Sequence, residues 1–290
     1  MIVEQKLRPR VAGVVLAYHP NAAILRNIAA LLDQVNVVYV VNNSAGEAAT
    51  QVLAPLAFFR DVEVIDLEGN LGVGAGFNAG IRRALDADAD YVWIFDQDST
   101  VAPGMLGVLL SHVDDYGVHT GIIGPALRAA ETGRVYPADS GVGAVRRHTL
   151  ISSGSLFSRE LLEEIGLHDE WMFIDYVDHD ICLRARSAGY TNLKVLDTVL
   201  DHRFGDSTPA RLLGRNVYLA NYSPLRLYYQ SRNRVVLLRR FGPRGWFGED
   251  AWFTIKAWTK IILFETQRGL KTASALRGLW DGLRWRRTGE

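Results

Sequence analysis

Residues 91–99 read YVWIFDQDS, an apolar run of strand character that ends in two carboxylates one residue apart. Because alternate side chains of an extended chain point to the same side, Asp96 and Asp98 are expected to lie together at the end of this strand. Hard cations such as Mg²⁺ take oxygen ligands and usually keep room for substrate phosphates. The stretch therefore indicates chemistry on a phosphorylated compound, the alternative being an acidic turn in which Ser99 caps a helix.

The sequence before this stretch alternates between short apolar runs and helical patterns. The predicted elements are strands at 11–18, 35–41, 62–67 and 91–95, with helices at 21–32 and 74–86. Continuous apolar strands that alternate with helices favour a parallel sheet, and ligands of such sheets bind outside the carboxyl ends of the strands. We therefore predict an α/β fold with a central, mostly parallel sheet and helices on both faces. The candidate site residues are those at the strand ends, namely His19, Asn42, Asn43, Asp66, Asn70, Asp96 and Asp98.

The second half of the sequence continues this alternation and then changes character. The predicted elements are a helix at 103–116, strands at 121–127 and 149–157, helices at 158–165 and 177–188, and a strand at 192–199 that ends near His202. From about residue 212 the pattern is helical, with a break at 242–245. We therefore predict a catalytic domain over residues 1–212 and a C-terminal helical region over residues 213–290.

Composition argues against several classes of protein. The 290 residues carry a formal net charge of zero, so non-specific binding of nucleic acid is not expected. A single cysteine, Cys182, excludes a disulfide framework within the chain. The first residues lack the apolar region of a signal peptide, and no run of about 18 apolar residues predicts a membrane-spanning helix. The expected class is a cytoplasmic enzyme.

Residues 69–80, GNLGVGAGFNAG, are rich in glycine and lead into a predicted helix. Gly74, Gly76 and Ala79 match the G-x-G-x-x-A pattern of dinucleotide-binding folds, and Asp96 follows about 20 residues later, as that fingerprint requires. The pattern belongs at the first strand-to-helix turn, however, and here two strands already precede it. The alternative is that the glycines allow close packing between the helix and the sheet.

Residues 173–184 hold a second group of titratable side chains. If a helix begins near residue 177, Asp178 lies in its first turn, where the helix dipole favours a carboxylate. A carboxylate there that faces a cleft can act as a general base. The alternative for Asp175 and Asp178 is helix capping. Asp180 and Arg184 are four residues apart and are expected to form an ion pair.

Histidines and arginines near these stretches supply further candidates. His202 follows a predicted strand and can complete a metal site, since imidazole is a good ligand for Mn²⁺-like ions. His179 is expected on the surface or in the core. Guanidinium groups suit phosphate, so one or two arginines are expected to reach a diphosphate while the others are solvated. The set is Arg211, Arg215, Arg226, Arg232, Arg234, Arg239 and Arg240.

Taken together, these stretches resemble family 2 glycosyltransferases of the GT-A fold, and more closely their rhamnosyltransferase branch. The resemblance covers roughly residues 11–240 and depends on motifs in a fixed order. These are YHP at 18–20, VNNS at 41–44, NLG at 70–72, GFNAG at 76–80, DQDS at 96–99, SG at 153–154, FIDYVD at 173–178, LR at 183–184, AGY at 188–190 and His202. The DQDS and FIDYVD forms are those that suggest rhamnose transfer.

The resemblance implies an inverting, metal-dependent transferase that uses Mg²⁺ or Mn²⁺. It would move L-rhamnose from dTDP-rhamnose to a hydroxyl of a saccharide acceptor, which can be lipid-linked, in cell-surface polysaccharide synthesis. Within the GT-A domain, residues 1–100 would form the nucleotide-sugar half and residues 101–212 the acceptor half.

The resemblance also implies roles for individual residues. The metal ligands would be Asp98, His202 and Asp96. The donor would contact Tyr18, His19, Asn43, Asp66, Asn70, Gly72, Asn78, Asp96, Gln97 and Arg232, and the acceptor would contact Ser153, Gly154, Trp171 and Asp175. The base would be Asp178. Asp175 stays open as the base, because Val177 stands where many members of the family have glutamate.

The C-terminal region lies outside this resemblance. Residues 246–287 place tryptophans and aliphatic residues among lysines and arginines, which suits helices that lie at a membrane surface, here the inner face of the cytoplasmic membrane. Packing on the catalytic domain or a homodimer contact is the alternative, and the pattern favours neither.

Other functions also stay open. The chain could be a family 2 transferase with another nucleotide-sugar donor, an NAD-dependent oxidoreductase that uses the glycine pattern, or a catalytically silent scaffold that binds membranes. A nucleotidyltransferase is disfavoured, because residues 17–21, AYHPN, do not form a basic glycine-rich loop after the first strand.

Overall fold

The computed structural model describes residues 9–129, 133–135, 139–202, 208–212 and 215–286. The elements of the first half are β1 Val11–Ala17, α1 Ala23–Leu32, β2 Val37–Asn42, α2 Glu47–Leu53, a 3₁₀ helix Ala54–Phe58, β3 Val62–Asp66, α3 Val73–Asp86 and β4 Tyr91–Asp96. The four strands pair in parallel in the order β3-β2-β1-β4. The parallel sheet predicted from the apolar runs is therefore confirmed.

The second half extends the same sheet with antiparallel and parallel strands. Its elements are α4 Met105–Tyr116, a 3₁₀ helix Gly117–His119, β5 Thr120–Ala129, β6 Arg134–Val135, β7 Ala144–Arg147, β8 Ser155–Ser158, α5 Arg159–Ile165, a 3₁₀ helix Glu170–Met172, α6 Val177–Ser187 and β9 Thr191–His202. β8 lies antiparallel between β4 and β5, and the path through the described strands is β3-β2-β1-β4-β8-β5-β9-β7, with β6 paired to β5.

The predicted strand at 149–157 is wrong over most of its length. Residues 149–154 form a loop and a turn, and β8 begins only at Ser155. Gly154 has a φ of +83°, a left-handed conformation through which a strand cannot continue. An apolar pattern alone does not reveal this turn.

β1 runs through the middle of the sheet, and all seven of its residues are buried. Val15 packs with Ile28 of α1 in the core on one face. Val14 packs with Phe77 and Ile81 of α3 in the core on the other face. Because helices cover both faces, the strand reads as a continuous apolar run rather than an alternating one.

α3 lies close to β1 because glycines face the sheet. A Cβ at Gly76 would lie 2.3 Å from Leu16 Cδ1, and a Cβ at Gly80 would lie 2.4 Å from Val14 Cγ1. A side chain at either position would push the helix away from the sheet. Packing, the alternative reading of the glycine-rich segment, therefore accounts for these two residues.

The C-terminal part begins with a hairpin of β10 Thr208–Leu212 and β11 Arg215–Leu219, followed by the helices α7 Pro224–Phe241, α8 Phe247–Phe264 and α9 Arg268–Arg284. The prediction that helices follow from residue 213 is therefore wrong. Helical structure starts at Pro224, where the Ser223 hydroxyl accepts a hydrogen bond from the Arg226 N–H and proline fixes the first turn. The predicted break at 242–245 separates α7 from α8.

α7 joins the C-terminal helices to the sheet domain. Val236 of α7 shares a core with Val177 and Leu183 of α6. On the side facing α9, a Cβ at Gly278 would lie 2.2 Å from the carbonyl oxygen of Tyr228, so the two helix backbones are in close contact. Among the helices in the described ranges, none is long and apolar enough to cross a membrane.

Candidate active site

The carboxyl ends of the four parallel strands meet at one edge of the sheet. Leu16 of β1 lies opposite Asp96 of β4, and Asn42 of β2 lies opposite both Ala17 of β1 and Asp66 of β3. The polar residues expected at the strand ends therefore form a row along this edge. Sheets of this kind bind their ligands at such an edge.

A reciprocal pair of hydrogen bonds joins the loops that follow β1 and β4. The Tyr18 N–H donates to Gln97 Oε1 at 2.9 Å, and Gln97 Nε2 donates to the Tyr18 carbonyl oxygen at 2.9 Å. The His19 N–H donates to Ser44 Oγ at 2.8 Å. The Gln97 side chain therefore fixes the backbone of Tyr18 beside the end of β4.

Asn43 holds the loop that leads into α3. Its side chain donates to Asn70 Oδ1 at 3.3 Å and to the Gly72 carbonyl oxygen at 3.2 Å, and it accepts from the Leu71 N–H at 2.8 Å. Gly72 has a φ of +93°, and a Cβ there would lie 2.7 Å from the carbonyl oxygen of Phe173. These members of the predicted donor set therefore shape the loop beside Phe173.

A cavity of about 720 Å³ lies at the carboxyl end of β4. Asp96 of β4, Asp178 of α6 and His202 of β9 line it from three separate elements. α7 and α8 line it as well, with Arg226 and Trp258 among the lining residues. The sequence had placed these carboxylates and this histidine in one site, and the structure brings them to one cavity.

Asp66, which was predicted to contact the donor, lies elsewhere along the same edge. It lines a second cavity of about 520 Å³ together with Ser44 and Glu68. The Asp66 carboxylate accepts hydrogen bonds from Asn42 Nδ2 at 3.2 Å and from the Glu68 N–H at 2.9 Å. Of the predicted site residues, Asp66 lines this second cavity, Asp96, Asp175, Asp178 and His202 line the larger one, and the others line neither.

Two serine hydroxyls connect the backbone of Asp96 to the imidazole of His202, two of the residues expected to hold a divalent cation. The Asp96 N–H donates to Ser153 Oγ at 3.1 Å, Ser153 Oγ lies 2.6 Å from Ser99 Oγ, and Ser99 Oγ lies 2.9 Å from His202 Nδ1. The serines therefore fix the imidazole relative to the end of β4. Asp98 is exposed and lies outside the lining of the larger cavity.

The charges around Asp96 suit a cation. The pKa of Asp96 is raised to about 6, chiefly by burial and also by the negative charges of Asp98 and Asp178, which together outweigh the opposing effect of His202 and Arg226. Within the described residues no three acidic, histidine or cysteine side chains converge into a complete metal site. The side chains of Asp96, Asp98 and His202 nevertheless fit Mg²⁺ or Mn²⁺, because such ions commonly bind one or two carboxylates and take their other ligands from substrate phosphates and water.

Asp178 forms a pair with the next residue in the sequence. The His179 N–H donates to Asp178 Oδ1 at 2.8 Å, and His179 Nδ1 lies 2.9 Å from the same oxygen. Burial opposes ionisation of Asp178, but the charge and hydrogen bonds of His179 outweigh it, so the pKa of Asp178 lies below its usual range. The pKa of His179 is raised in turn, since the partner carboxylate outweighs the effect of burial.

Asp175, the other candidate base, is held by an arginine of α7. Arg226 Nε lies 2.9 Å from Asp175 Oδ2, and Arg226 Nη2 lies 2.9 Å from Asp175 Oδ1. The guanidinium also stacks over the ring of Tyr222, 4.2 Å from its centroid. Both oxygens of Asp175 are thus engaged in a bidentate pair at the cavity wall.

The segment that carries Asp175 has a strained backbone. Phe173, Asp175 and Tyr176 have φ values between +59° and +64°, which residues other than glycine rarely adopt. Asn233 of α7 is fully buried, and its Nδ2 lies 2.8 Å from the carbonyl oxygen of Met172 and 2.9 Å from two further carbonyl oxygens of the segment. Since strain of this kind persists only where surrounding contacts hold it, Asn233 fixes the approach to α6.

The structure does not bring Arg232 to the cavity, which corrects the prediction that it contacts the donor. Its guanidinium is buried, donates to the Trp171 carbonyl oxygen at 2.7 Å, and lies 3.6 Å from the centroid of the Trp171 ring. Of the arginine set, Arg226 and Arg234 line the cavity instead. Sequence spacing did not distinguish among the five arginines from Arg226 to Arg240, because all five lie on α7.

The structure also corrects the prediction that Asn78 contacts the donor. It is 1% exposed, and its side chain donates to the His168 carbonyl oxygen and to Glu170 Oε1, each at 2.9 Å, while its Oδ1 accepts from the His168 N–H at 2.9 Å. The side chain therefore ties α3 to the loop before the 3₁₀ helix at 170–172. It is absent from the lining of both described cavities.

Of the predicted acceptor set, Asp175 alone lines the described cavity. Ser153 is 1% exposed and holds Asp96 and Ser99, as above. A Cβ at Gly154 would lie 2.9 Å from Leu200, so that glycine is needed for close packing. Trp171 stacks on Arg232. Ser153, Gly154 and Trp171 therefore make local packing and hydrogen-bond contacts and do not line the cavity.

Sequence reasoning missed two kinds of site residue. His179 was expected on the surface or in the core, although its position next to Asp178 on a first helical turn was a signal. The residues of α8 that line the cavity gave no signal, because nothing local shows that a late helix folds back over the strand ends. The α8 residues in the lining are Asp250, Phe253, Thr254, Lys256, Ala257, Trp258, Lys260 and Ile261, and Glu265 follows directly after the helix.

This chain is similar to known proteins in both sequence and fold. The model of Glycosyl transferase family 2 matches residues 14–166, more than half of the chain. The dTDP-rhamnosyl transferase RfbF of Shigella flexneri is 29% identical over 252 residues, which is 81% of this chain and 81% of that protein.

Two solved structures show the same architecture. The crystal structure of GalNAc-T7 with UDP, GalNAc and Mn²⁺ matches with a TM-score of 0.61 at 12% identity, over 96% of this chain and 56% of that one. The mannosyltransferase PcManGT from Pyrobaculum calidifontis, in complex with GDP-Man and Mn²⁺, matches with a TM-score of 0.59 at 14% identity, over 95% of this chain and 88% of that one. The predicted GT-A fold is confirmed by these likenesses.

Proposed function

The chain belongs to glycosyl transferase family 2, and on that premise we propose that it is an inverting, metal-dependent rhamnosyltransferase. The proposed donor is dTDP-rhamnose, and the proposed acceptor is a hydroxyl of a lipid-linked saccharide in cell-surface polysaccharide synthesis. The observation that carries the proposal is that Asp96, His202 and Asp178 line one cavity from three elements. The similarity to a dTDP-rhamnosyl transferase over 81% of the chain supports the choice of donor.

Asp96, Asp98 and His202 would hold the divalent cation, Mg²⁺ or Mn²⁺. When bound, it supplies positive charge that stabilises the departing diphosphate. Ser99 and Ser153 keep the imidazole and the end of β4 in a fixed relation, so that little reorganisation is needed when the donor binds.

Asp178 is the proposed base. Its low pKa keeps the carboxylate ionised at neutral pH, and it faces the cavity, whereas both oxygens of Asp175 are engaged by Arg226. The acceptor hydroxyl transfers its proton to Asp178 as its oxygen bonds to the anomeric carbon, and the bond from that carbon to the diphosphate oxygen breaks. Attack from the face opposite the diphosphate inverts the anomeric configuration.

α8 supplies the acceptor side of the cavity. Trp258 and Phe253 offer aromatic surfaces, and Lys256 and Lys260 lie four residues apart along the same wall. Aromatic rings with a few polar groups are a usual lining for a small organic ligand. We propose that the saccharide acceptor lies between this wall and Asp178.

The stereochemistry of transfer tests this function. The purified protein is incubated with dTDP-rhamnose, Mn²⁺ and a saccharide acceptor or water, and the anomeric protons are followed by NMR. The first product is expected to have the anomeric configuration opposite to that of the donor. Retained configuration, or faster consumption of UDP-glucose than of dTDP-rhamnose, would overturn the proposal.

A further inference from the structure

α8 has two different faces. One lines the cavity, through residues that include Ala257, Trp258 and Ile261. The opposite face is apolar and open: Trp252, Ile255, Ile262 and Leu263 are exposed by 57%, 59%, 58% and 49%. Because an α-helix has 3.6 residues per turn, these four positions fall within about 100° of its circumference and lie on one stripe.

α9 repeats this arrangement. Lys271, Ala275, Gly278 and Gly282 form its buried stripe. Leu276, Leu279, Trp280 and Leu283 form a second stripe, exposed by 60%, 38%, 54% and 62%. Isolated exposed apolar side chains are ordinary, but two consecutive helices that each carry an exposed apolar stripe indicate a surface that contacts something. We call these two stripes the α8–α9 apolar surface.

The exposed charges beside this surface are mostly basic. From the start of α8 to residue 286 the exposed charged side chains are Glu249, Lys256, Arg268, Arg277, Arg284 and Arg286. The acidic residues after α8 are engaged: Glu265 is buried and pairs with Lys271 at 2.5 Å, and Asp281 accepts a hydrogen bond from the Tyr228 hydroxyl at 2.8 Å. A chain of zero net charge thus carries a locally cationic surface around exposed apolar stripes.

We propose that the α8–α9 apolar surface binds an anionic lipid bilayer, with the two helices lying in its headgroup region. Apolar stripes with tryptophan, flanked by lysine and arginine, match the chemistry of interfacial helices, and anionic headgroups attract the basic residues. The helices bind at the surface rather than cross it, since none of the described helices can span a bilayer. A second copy of the chain fits less well, because a two-fold interface would place the same cationic surface against itself.

Docking of the α8–α9 apolar surface would place the proposed transferase at a membrane, and only this consequence rests on the proposed function. The other face of α8 lines the cavity, so docking would hold the cavity beside the headgroups, where a lipid-linked saccharide is presented. Vesicle binding needs neither donor nor acceptor. A failure to bind vesicles therefore leaves the transferase proposal intact, and a failure of transfer leaves the docking proposal intact.

The test is co-sedimentation of the full chain with vesicles of phosphatidylcholine alone or mixed with phosphatidylglycerol. We expect binding to the anionic vesicles to be about tenfold tighter or more, and to weaken as salt is added. Ile255→Ser with Ile262→Ser removes apolar contact, and Arg277→Gln with Arg284→Gln removes charge; neither pair lines the cavity. Each double variant is expected to weaken binding to anionic vesicles by about tenfold.

Phe58→Ser with Arg60→Gln is the matched control. Phe58 is 92% exposed and lies on the 3₁₀ helix before β3, so this variant should bind vesicles as the unmodified protein does. Thermal melts followed by circular dichroism establish that each variant is folded. Equal binding to both kinds of vesicle, or undiminished binding by the folded Ile255→Ser/Ile262→Ser variant, would overturn the proposal. So would a homodimer, seen by sedimentation velocity, that these variants convert to monomer.

Discussion

Asp178 and His179 are adjacent in the sequence, and both line the cavity as a hydrogen-bonded pair. Replacing Asp178 by Asn keeps the shape of the side chain but removes its capacity to accept a proton. We expect turnover to fall by about 10²- to 10⁴-fold, the usual contribution of a general base, with donor affinity little changed. Steady-state kinetics and donor titration check this; normal turnover by the Asn variant would exclude Asp178 as the base.

The pair also sets the pH dependence of activity. With Asp178 as the proposed base, activity requires its ionised carboxylate, and His179 holds the pKa of this carboxyl low. In His179→Gln, burial becomes the main influence on the pKa of Asp178 and raises it. The acid limb of the kcat/KM profile should therefore move to higher pH by about one unit or more. His112 of α4 pairs with Asp197 at 2.9 Å and does not line the cavity. His112→Gln is therefore the control and should leave the pH profile unchanged.

The same pair makes stability depend on pH in two directions. The lowered pKa of Asp178 gives a contribution that is present above the unfolded carboxyl pKa and is lost as pH falls through the folded value. The raised pKa of His179 gives a contribution that is present below the unfolded imidazole pKa and is lost as pH rises through the folded value. Between those limits both groups are charged and the pair contributes most.

Asn233 acts by donating hydrogen bonds to the strained segment, so the sign of its side-chain dipole matters. Asn233→Ala removes the donor and should cost about 1–3 kcal/mol of unfolding free energy, because buried carbonyl oxygens lose their partner. Asn233→Asp has nearly the same shape but places a carboxylate against those oxygens, so it should cost more. Urea unfolding measures both; an Asp variant as stable as the unmodified protein would contradict this role.

At the scale of elements, α3 is fixed to the sheet by glycines rather than by larger side chains. Gly80→Ala would put a Cβ 2.4 Å from Val14 Cγ1 and should cost about 1–3 kcal/mol of unfolding free energy. Gly107 in α4 has nothing within 4 Å of an added Cβ, so Gly107→Ala should instead stabilise by up to about 1 kcal/mol. Thermal unfolding of the two variants compares them, and equal effects would mean that the contact between α3 and β1 is not tight.

The sequence predicts some elements far better than others, and the reason is physical. β1, β2 and β4 are buried on both faces, so their apolar runs and the polar residues that end them identify a parallel sheet and its ligand-binding edge. The hairpin of β10 and β11 is different, because its strands pair with each other outside the main sheet and carry no continuous apolar run. The sequence of the hairpin was therefore not distinguished from the helical pattern that follows it.

Roles that depend on contacts distant in the sequence were the hardest to predict. Arg226 and Arg232 lie on one helix six residues apart, and packing decides that the first faces the cavity and the second lies beneath Trp171. Asn78 carries a side chain suited to binding a ligand, yet loop 168–170 satisfies it. Motif spacing supplies the row of strand-end residues, whereas such assignments require the tertiary structure.

At the scale of the whole molecule, α8 forms one wall of the cavity at the ends of the strands, far from them in the sequence. Trp258 lines the cavity and Trp252 lies on the outer face of the same helix. With a water-soluble acceptor and no vesicles, Trp258→Ala should raise the acceptor KM by about tenfold through loss of an aromatic contact, with donor affinity unchanged. Trp252→Ala should leave both values unchanged, and equal effects of the two variants would contradict the assignment of α8 as the acceptor wall.

Whether the strand-end carboxylates bind a metal-complexed donor is the central claim, and calorimetric titration tests it without knowledge of the acceptor. dTDP-rhamnose and UDP-glucose are each titrated with Mn²⁺ or with EDTA, using the unmodified protein, Asp98→Ala, and Asp61→Ala as the control. Asp61 is an exposed carboxylate that precedes β3, at the opposite edge of the sheet. We predict that dTDP-rhamnose binds more tightly than UDP-glucose, that binding requires Mn²⁺, and that only Asp98→Ala abolishes it. Binding of dTDP-rhamnose that survives both EDTA and Asp98→Ala, or tighter binding of UDP-glucose, would contradict the account.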